Sequence, residues 1–214
     1  MKRFISLVLA AVMVALTLCA CAGKQSSNSG SDIGAGAESE VSSEAVPQKN
    51  PLFTWEIKLD GVDYTLPFDF SLLQAQGYTL DEKYDKDLAA NTYMIMIGGG
   101  NPKKDGVSLD VLFWNPNDTT KKMSECQIGQ IRVEADDKHE LILPGGLKFD
   151  STVTVQDVLS KYGENSDECE VRESEDYTTI TYKEGIYNNV EFFIYTKDES
   201  KFKYNHVKLQ NFVK

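Results

Sequence analysis

The amino-acid sequence predicts an α+β fold: two tandem repeats of a helix plus an antiparallel sheet, preceded by a signal peptide and a disordered tether. Three observations support this class. An apolar N-terminal run leads into a polar segment, a capped helical pattern precedes three strand-like runs in the second half, and the same order recurs in the first half. The predicted segments are a signal peptide at 1–20, a lipidated flexible tether at 21–50, a first repeat with an N-terminal hairpin at 51–139, and a second repeat at 140–214.

The N-terminus has a short basic start followed by the apolar run FISLVLAAVMVALTL, a pattern typical of a secretory signal peptide. A transmembrane anchor, which needs about 20 apolar residues, is the alternative. The stretch LCAC at the end of the run resembles the lipobox of bacterial lipoproteins, with Leu18 three places before Cys21 and Ala20 directly before it. The resemblance implies cleavage before Cys21 and diacylglycerol on its sulfur. Two acyl chains hold a protein stably to a membrane, so the expected location is the extracytoplasmic side of the cell membrane.

Composition separates the tether from the folded part and limits the partners. Residues 22–50 contain seven serines, four glycines and four alanines, too few apolar groups to offset the entropy lost on ordering. The whole chain has 22 basic and 33 acidic side chains, for a net charge of −11. An acidic chain repels nucleic acid, so nucleic-acid binding is excluded.

The second repeat is predicted from helix signals followed by strand signals. In TVQDVLSKYGE (154–164), Thr154 can accept a hydrogen bond from the amide of Asp157, whose charge suits the first turn of a helix. Apolar residues recur at helical spacing, and Gly163 supplies a left-handed stop. An antiparallel meander is predicted from the three alternating runs that follow, at 176–183, 189–196 and 203–212.

The first repeat carries the same order with extra pieces. FDFSLLQAQG (68–77) predicts a short helix that ends at Gly77. FTWEIKLDGVDYTLP (53–67) predicts a hairpin with its turn at Asp60-Gly61. ELILPGGLKF (140–149) lies between the two copies and repeats the Leu-Pro element of the hairpin. Three strands are predicted in this half, at 92–98, 107–115 and 125–134.

This unit resembles the tandem-repeat fold of β-lactamase inhibitor proteins and of small outer-membrane lipoproteins of the SmpA/OmlA type. The matching residues lie in the second helix and are Thr154, Asp157, Val158, Leu159, Tyr162 and Gly163. The family often has Pro shortly after the Gly, whereas Glu164 follows here. The resemblance implies a protein-binding module with an exposed sheet face.

Motifs that would carry catalysis or bind a cofactor fail on context. IGGGNPKKDG (97–106) leads into a strand, whereas a phosphate loop leads into a helix. NPNDTTKKMSE (115–125) lacks the Gly and Glu of a calcium loop at the sixth and twelfth positions. His139 and His206 are the only histidines, and neither has a second ligand at zinc spacing. No cofactor, metal or catalytic residue is therefore predicted.

Aromatic residues on predicted strands suggest an interaction face. In VEFFIYT (190–196), consecutive side chains point to opposite sides of a sheet, so Phe193 and Tyr195 lie opposite the helix-packed side. A shift of 81 residues aligns Trp114 with Tyr195, and Trp114 joins the predicted face. Exposed aromatic patches of this kind often mark interfaces.

Two cysteines remain in the predicted folded part, Cys126 and Cys169. Export permits a disulfide between them, which would close a loop of about 43 residues and contribute roughly 4 kcal/mol. The repeat places Cys126 at an inward strand position, where a free cysteine behaves as a small buried apolar residue. Cys169 lies in a polar stretch with nothing that brings it near Cys126. Two free thiols are therefore expected.

The sequence thus predicts a membrane-tethered extracytoplasmic binding module without catalysis, whose partner is a protein or another cell-surface ligand. The alternatives are an inhibitor of an extracellular enzyme and an extracytoplasmic hydrolase. A deep pocket with two converging carboxylates would favour the hydrolase, and an open aromatic sheet face would favour binding.

Overall fold

A computed structural model of the 214-residue chain describes residues 49–95, 100–164, 167–196 and 204–212. The predicted signal peptide, Cys21 and the predicted tether before residue 49 lie outside these ranges. The described helices are two α-helices and two 3-10 helices: α1 (Phe70–Ala75), α2 (Val155–Tyr162), Pro51–Thr54 and Met123–Glu125. The described strands are, in chain order, β1 (Glu56–Leu59), β2 (Val62–Thr65), β3 (Phe68–Asp69), β4 (Asp87–Leu88), β5 (Thr92–Ile95), β6 (Lys103–Lys104), β7 (Val107–Ser108), β8 (Asp110–Asn115), β9 (Lys121–Lys122), β10 (Gln127–Glu134), β11 (Leu141–Ile142), β12 (Lys148–Phe149), β13 (Cys169–Glu173), β14 (Tyr177–Glu184), β15 (Asn188–Tyr195) and β16 (His206–Gln210).

The predicted α+β class is wrong, because strands build this domain. Of the described residues, 44% lie in strands and 14% in helices. The first predicted helix, 68–77, shortens to the six residues of α1, and Phe68–Asp69 joins a sheet as β3. The helices α1 and α2 each have only two buried side chains. Helices this short cannot cover a sheet, so the strands supply most of the core.

Strands from both predicted repeats join in one eight-stranded antiparallel sheet. Its order is β13-β14-β15-β16-β10-β8-β5, and β3 pairs with one end of β10. The two halves meet where β10 pairs with β16, with Ile131 opposite Leu209 and Val133 opposite Val207. All four side chains are buried. The middle of this sheet is therefore the contact between the two halves of the chain.

The strands predicted in the second half are confirmed with small changes in their bounds, as β14, β15 and β16. In the first half, the run at 107–115 divides into β7 and β8, and the run at 125–134 forms β10. Of the run at 92–98, the structure describes only Thr92–Ile95 as strand. The alternation of apolar and polar side chains thus located the long strands correctly.

A smaller four-stranded sheet, in the order β12-β11-β1-β2, contains the predicted hairpin. Its turn falls at Asp60-Gly61 as predicted, with φ of 50° and 82°, the left-handed values that a two-residue hairpin turn requires. The segment 140–149 supplies β11 and β12, and Leu141 pairs with Leu59. Strands from both sides of residue 140 therefore share this sheet as well.

Helix α2 has the ends that the sequence predicted. The Thr154 hydroxyl accepts a hydrogen bond from the Asp157 N–H at 3.2 Å, and the Thr154 N–H donates to the Asp157 carboxylate at 2.9 Å, which forms a capping box. Gly163 ends the helix as predicted, but with φ of 87° and ψ of 147° it lies outside the left-handed helical conformation that was expected. The pKa of the Asp157 carboxyl is lowered by its hydrogen bonds with Thr154.

One hydrophobic cluster contains inward side chains of both sheets and both α-helices. Phe149 of the smaller sheet and Phe192 of the larger sheet have ring centroids 6.2 Å apart. Tyr162 of α2 stacks on Phe192 at 6.0 Å and donates its hydroxyl hydrogen to the Pro144 carbonyl at 2.8 Å. The side of the larger sheet that faces away from this cluster is called the outward face below. Within the described ranges, no helix has the length and apolar character needed to cross a membrane.

Candidate functional site

The outward face can be traced strand by strand from the pairing register. Residues directly opposite each other in antiparallel strands point to the same side of the sheet. Phe193 of β15 lies opposite His206 of β16, and His206 lies opposite Glu134 of β10. The neighbouring residues Phe192 and Val207 point inward and are completely buried. Phe193, His206 and Glu134 therefore form one row across the outward face.

Four aromatic rings, called the aromatic cluster below, occupy one end of this face. They belong to Tyr177, Phe193, Tyr195 and His206, and all four residues are half-buried. The Phe193 ring lies between two stacked neighbours, with centroids 4.2 Å from Tyr177 and 4.7 Å from His206. Tyr195 packs against the same ring at 5.2 Å. The cluster is thus a fixed aromatic surface with one side open to solvent.

Phe193 and Tyr195, two of the three predicted interaction residues, lie in this cluster, whereas Trp114 does not. Trp114 lies on the outward face near the opposite edge of the sheet, on β8, and only 8% of it is exposed. Phe212 covers it edge-on at 5.7 Å, and Tyr93 stacks on Phe212 at 5.4 Å. Trp114 is therefore a packing residue of a small second cluster and presents little surface to a partner.

Charged side chains separate the two aromatic regions. Arg132 of β10 contacts Asp110 at 3.8 Å and Glu134 at 3.2 Å. Lys208 of β16 lies directly opposite Arg132 and contacts Glu191 at 3.1 Å. Each of these two cations thus has a carboxylate beside it, and neither is free to bind an anion.

A cavity of about 390 Å³, called the polar cleft below, opens beside Arg132. Its lining residues are Asn101, Gly106, Val107, Ser108, Asp110, Arg132, Glu134, Asp136, Lys138 and His139. Two buried polar atoms of this lining, the Arg132 Nε and the Asn101 Oδ1, have no hydrogen-bond partner among the described residues. One atom is a donor and the other an acceptor. Buried polar groups are rarely left unpaired in proteins, because each costs about 1–3 kcal/mol.

Two ionisable groups of the face have shifted pKa values. Burial raises the pKa of the Asp110 carboxyl, against the opposing effects of Arg132 and of a hydrogen bond from Asn101. Burial and then the positive charge of Arg132 lower the pKa of the His206 imidazole to about 4, although Glu191 acts in the opposite direction. His206 is therefore uncharged at neutral pH.

A clasp of three side chains borders the polar cleft. The Asp60 carboxylate accepts hydrogen bonds from the Tyr78 hydroxyl at 3.0 Å and from the Glu140 N–H at 2.9 Å, and its Oδ2 lies 3.0 Å from His139 Nδ1. The other ring nitrogen of His139 lies 3.4 Å from the Ser108 carbonyl oxygen. Burial opposes ionisation of Asp60, but the hydrogen bonds from His139, Glu140 and Tyr78 outweigh it and lower the pKa of Asp60. The clasp ties the hairpin turn to the cleft wall.

The remaining predicted site residues lie away from this face. Cys126 is buried and its thiol donates a hydrogen bond to the Lys122 carbonyl at 3.1 Å, and Cys169 is half-buried on β13. Both are free thiols in this structure. Cys21 lies outside the described residues. In the described part of the chain, no group of three or more His, Cys, Asp or Glu side chains is arranged to hold a metal ion.

Sequence reasoning missed the polar cleft. In a chain with 33 acidic residues, Asp110 and Glu134 look like ordinary solvated charges. The one signal in the sequence was the position of these charges along the strands. Asp110, Arg132 and Glu134 fall at outward positions of β8 and β10, between apolar residues that point inward. That signal becomes informative only when the strand order places β8 next to β10.

No protein-family model matches this chain, and no curated protein or solved structure is significantly similar to it.

Proposed function

We propose that this protein is a membrane-tethered extracytoplasmic binding module, and that the outward face carries its binding site. The observation that supports this most directly is the aromatic cluster beside the polar cleft. Phe193 and its stacked neighbours give a rigid surface that needs no ordering on binding, and the cleft adds directional polar groups. The lipobox resemblance at Cys21 supports the tether.

The arrangement of the carboxylates favours binding over the hydrolase alternative. Asp110 and Glu134 both line the polar cleft, but both contact the same guanidinium of Arg132. A carboxylate in such a pair is held by its partner, whereas general acid–base catalysis needs a carboxyl group within reach of the substrate. The proposed role of Arg132 is therefore to hold the cleft wall in place.

The experiment is site-specific photo-crosslinking in the cells that express the chain. A benzophenone amino acid replaces Tyr177 in the aromatic cluster, and in a matched control it replaces Ile186, which is 88% exposed at the turn between β14 and β15. We expect crosslinked adducts on irradiation of the Tyr177 variant and few or none for the Ile186 variant. Equal adduct yields from the two positions, or no adduct from Tyr177, would count against a binding site on the outward face.

A further inference from the structure

We propose that the turn between β14 and β15, called the hairpin tip below, rests on the membrane surface and inserts Ile186 among the lipids. The hairpin tip consists of Gly185, Ile186 and Tyr187. This inference rests on the membrane tether of the proposed function and gives the domain a defined orientation on the lipid surface. Three features support it: the exposed apolar side chains of the tip, its fixed backbone, and the place where the described chain begins.

The hairpin tip exposes two large apolar side chains next to each other. Ile186 is 88% exposed, the highest value among the large hydrophobic side chains of the described residues, and Tyr187 is 51% exposed. Turns are usually built from Gly, Pro, Asn, Asp and Ser, so this pair is unusual at such a position. At the boundary between lipid and water an aliphatic side chain leaves water, while a tyrosine keeps its hydroxyl group hydrated. The composition of the tip therefore suits a lipid surface.

The sheet holds the backbone of the hairpin tip in place. Gly185 has φ of 79°, a value that a glycine adopts without strain. The Gln210 Nε2 on β16 donates a hydrogen bond to the Tyr187 carbonyl at 2.8 Å. The Phe212 N–H donates to the Asn188 Oδ1 at 2.9 Å, directly after the tip. The turn is thus already ordered, and contact with lipid costs little conformational entropy.

The described part of the chain begins beside the hairpin tip. The Lys49 Nζ lies 2.6 Å from the Glu184 Oε1, and the Trp55 Nε1–H donates to the Glu184 Oε2 at 3.1 Å. Glu184 directly precedes the tip. The predicted lipid site, Cys21, precedes Lys49 by 28 positions, and a flexible segment of that length has an average end-to-end distance of roughly 30 Å. A lipid on Cys21 would therefore keep the tip at a high effective concentration near the membrane.

The charges beside the hairpin tip indicate that apolar burial, and not charge, determines this contact. Lys183 lies 2.7 Å from Glu170, and Lys208 lies 3.1 Å from Glu191. The whole chain has a net charge of −11 and is repelled by anionic lipids. Ile186 also projects from a turn, and a fluid lipid surface, unlike a protein, needs no matching pocket to receive it. The expected surface is therefore zwitterionic lipid.

This contact gives the outward face a direction relative to the membrane. Asn188 and Phe193 lie five positions apart on the same strand, β15, which corresponds to about 17 Å. The hairpin tip adjoins Asn188, and the aromatic cluster contains Phe193. With the tip on the lipid surface, the aromatic cluster lies toward the other end of the hairpin and stays accessible to a partner.

The test measures the quenching of tryptophan fluorescence by brominated phosphatidylcholine in vesicles that carry the full-length chain. Tyr187→Trp places the reporter in the hairpin tip. Tyr204→Trp, at a 49% exposed position before the opposite end of β16, is the matched control. The unchanged chain gives the background of its two native tryptophans. We expect the brominated lipid to remove more than half of the emission that Tyr187→Trp adds and to leave the emission that Tyr204→Trp adds unchanged.

A second substitution tests Ile186 itself. Ile186→Ser, introduced into the Tyr187→Trp chain, should reduce the quenching at least twofold, because the aliphatic side chain that enters the lipid is lost. Tyr204→Ser in the same chain is its control and should leave the quenching unchanged. High salt should also leave it unchanged, since the contact does not depend on charge. Thermal melts of all variants check that they fold.

Three results would each overturn this inference: no quenching at the hairpin tip, equal quenching at positions 187 and 204, or quenching that Ile186→Ser does not reduce. Vesicle flotation shows whether the chain is attached to lipid. If it does not float, an N-terminal polyhistidine tag attaches the same chain to vesicles that contain nickel-chelating lipid. The comparison of positions 187 and 204 then decides the inference even if the lipid anchor on Cys21 is wrong.

Photo-crosslinking separates the hairpin tip from the binding site of the proposed function. Protein adducts from Tyr177 without quenching at the tip would leave the proposed function standing and overturn this inference alone. Quenching at the tip without adducts from Tyr177 would do the reverse. Because the tip contacts lipid, a crosslinker at Ile186 should form no protein adduct, and Ile186 stays a valid control for Tyr177. A single protein adduct from Ile186 would show instead that the tip binds a protein.

Discussion

The imidazole of His206 lies flat against the ring of Phe193, with centroids 4.7 Å apart and an angle of 11° between the planes. The two residues are direct cross-strand partners on β15 and β16, so the sheet itself fixes the stack. Arg132 and Lys208 face the imidazole with positive charge, and Glu191 and Glu134 face it with negative charge.

The lowered pKa of His206 makes the free energy of unfolding depend on pH within a defined range. The pKa of His206 is about 4 in the folded chain, against an ordinary value of 6.5 for histidine. The unfolded chain therefore takes up the proton first, and the folded state loses stability as the pH falls from about 6.5 to about 4. After allowance for partial solvent screening, the loss should be about 1–2 kcal/mol. His206→Phe keeps the stack and removes the titration. Urea unfolding at pH 7.5 and pH 5 should show a smaller loss for the variant, and an equal loss would contradict the assignment.

The Asp60 carboxylate should stabilise the fold through its charge. Its pKa is lowered in the folded state, so its contribution is present above the unfolded pKa and is lost as the pH falls through the lower folded value. Asp60→Asn should lower the free energy of unfolding by about 1–2 kcal/mol at pH 7. It should also reduce the further loss of stability that the unchanged chain shows below about pH 4. Asp63→Asn, on the same hairpin with an 82% exposed side chain, is the matched control and should change stability by less than about 0.5 kcal/mol. Equal effects of the two substitutions would argue against the clasp.

Gly129 leaves room for Phe212 over Trp114. A Cβ atom at Gly129 would lie 2.8 Å from Cδ1 of Phe212 and 3.2 Å from Cβ of Trp114. Gly129→Ala should therefore displace Phe212, cost about 1–3 kcal/mol and increase acrylamide quenching of tryptophan fluorescence as Trp114 loses its cover. Phe212→Leu in the same chain should recover part of the loss, which a double-mutant cycle measures. Additive effects would show that the two positions do not contact each other.

The Cys126 thiol should react slowly in the folded chain. Burial raises its pKa to about 11, with help from the charges of Glu125 and Asp85. At pH 8 its thiolate population is therefore about 100-fold smaller than that of a cysteine with the ordinary pKa of 9.0. In a chain with Cys19 and Cys21 replaced by alanine, two thiols should titrate after unfolding without reductant. The Cys169→Ser variant isolates the slow Cys126 reaction, and a count of zero thiols in the unfolded chain would establish a disulfide.

The lipid anchor at Cys21 stays a prediction of the sequence. Cys21→Ala removes the sulfur that would carry diacylglycerol, so the chain should leave the membrane fraction or accumulate with its signal peptide attached. Cys19→Ala is the matched control and should leave processing and location unchanged. Both are measured by cell fractionation and by the mass of the chain. Normal membrane retention of processed Cys21→Ala protein would exclude the lipobox.

Local signals in the sequence predicted local structure well. The capping box of Thr154, the hairpin turn at Asp60-Gly61 and the long strands follow from the properties of neighbouring residues. The fold class failed because it depends on how much of the core each element buries and on which strands pair. The sequence pattern marks a helix at 68–77, but tertiary pairing with β10 draws Phe68 and Asp69 into the sheet.

The difference between local signals and contacts between distant segments also explains which parts of the candidate site the sequence predicted. Alternation along β15 was enough to place Phe193 and Tyr195 on the outward face. Trp114 has an equally aromatic outward position, but its burial depends on Phe212, which lies 98 positions further along the chain. The polar cleft likewise depends on Asn101 and Arg132, 31 positions apart in the chain, lining the same cavity. Contacts between distant segments of this kind leave no periodic pattern in the sequence.

The position of β16 has a consequence for the order of events during biosynthesis. This strand is the last described element of the chain, yet it lies in the middle of the larger sheet, between β15 and β10. While the chain is being made, β10 and β15 both emerge without the neighbour that joins them. The two halves of the sheet can meet only after residues 206–210 have been synthesised. The larger sheet is therefore completed only when its last described strand has been made, and the chain cannot reach this fold while it is still being elongated.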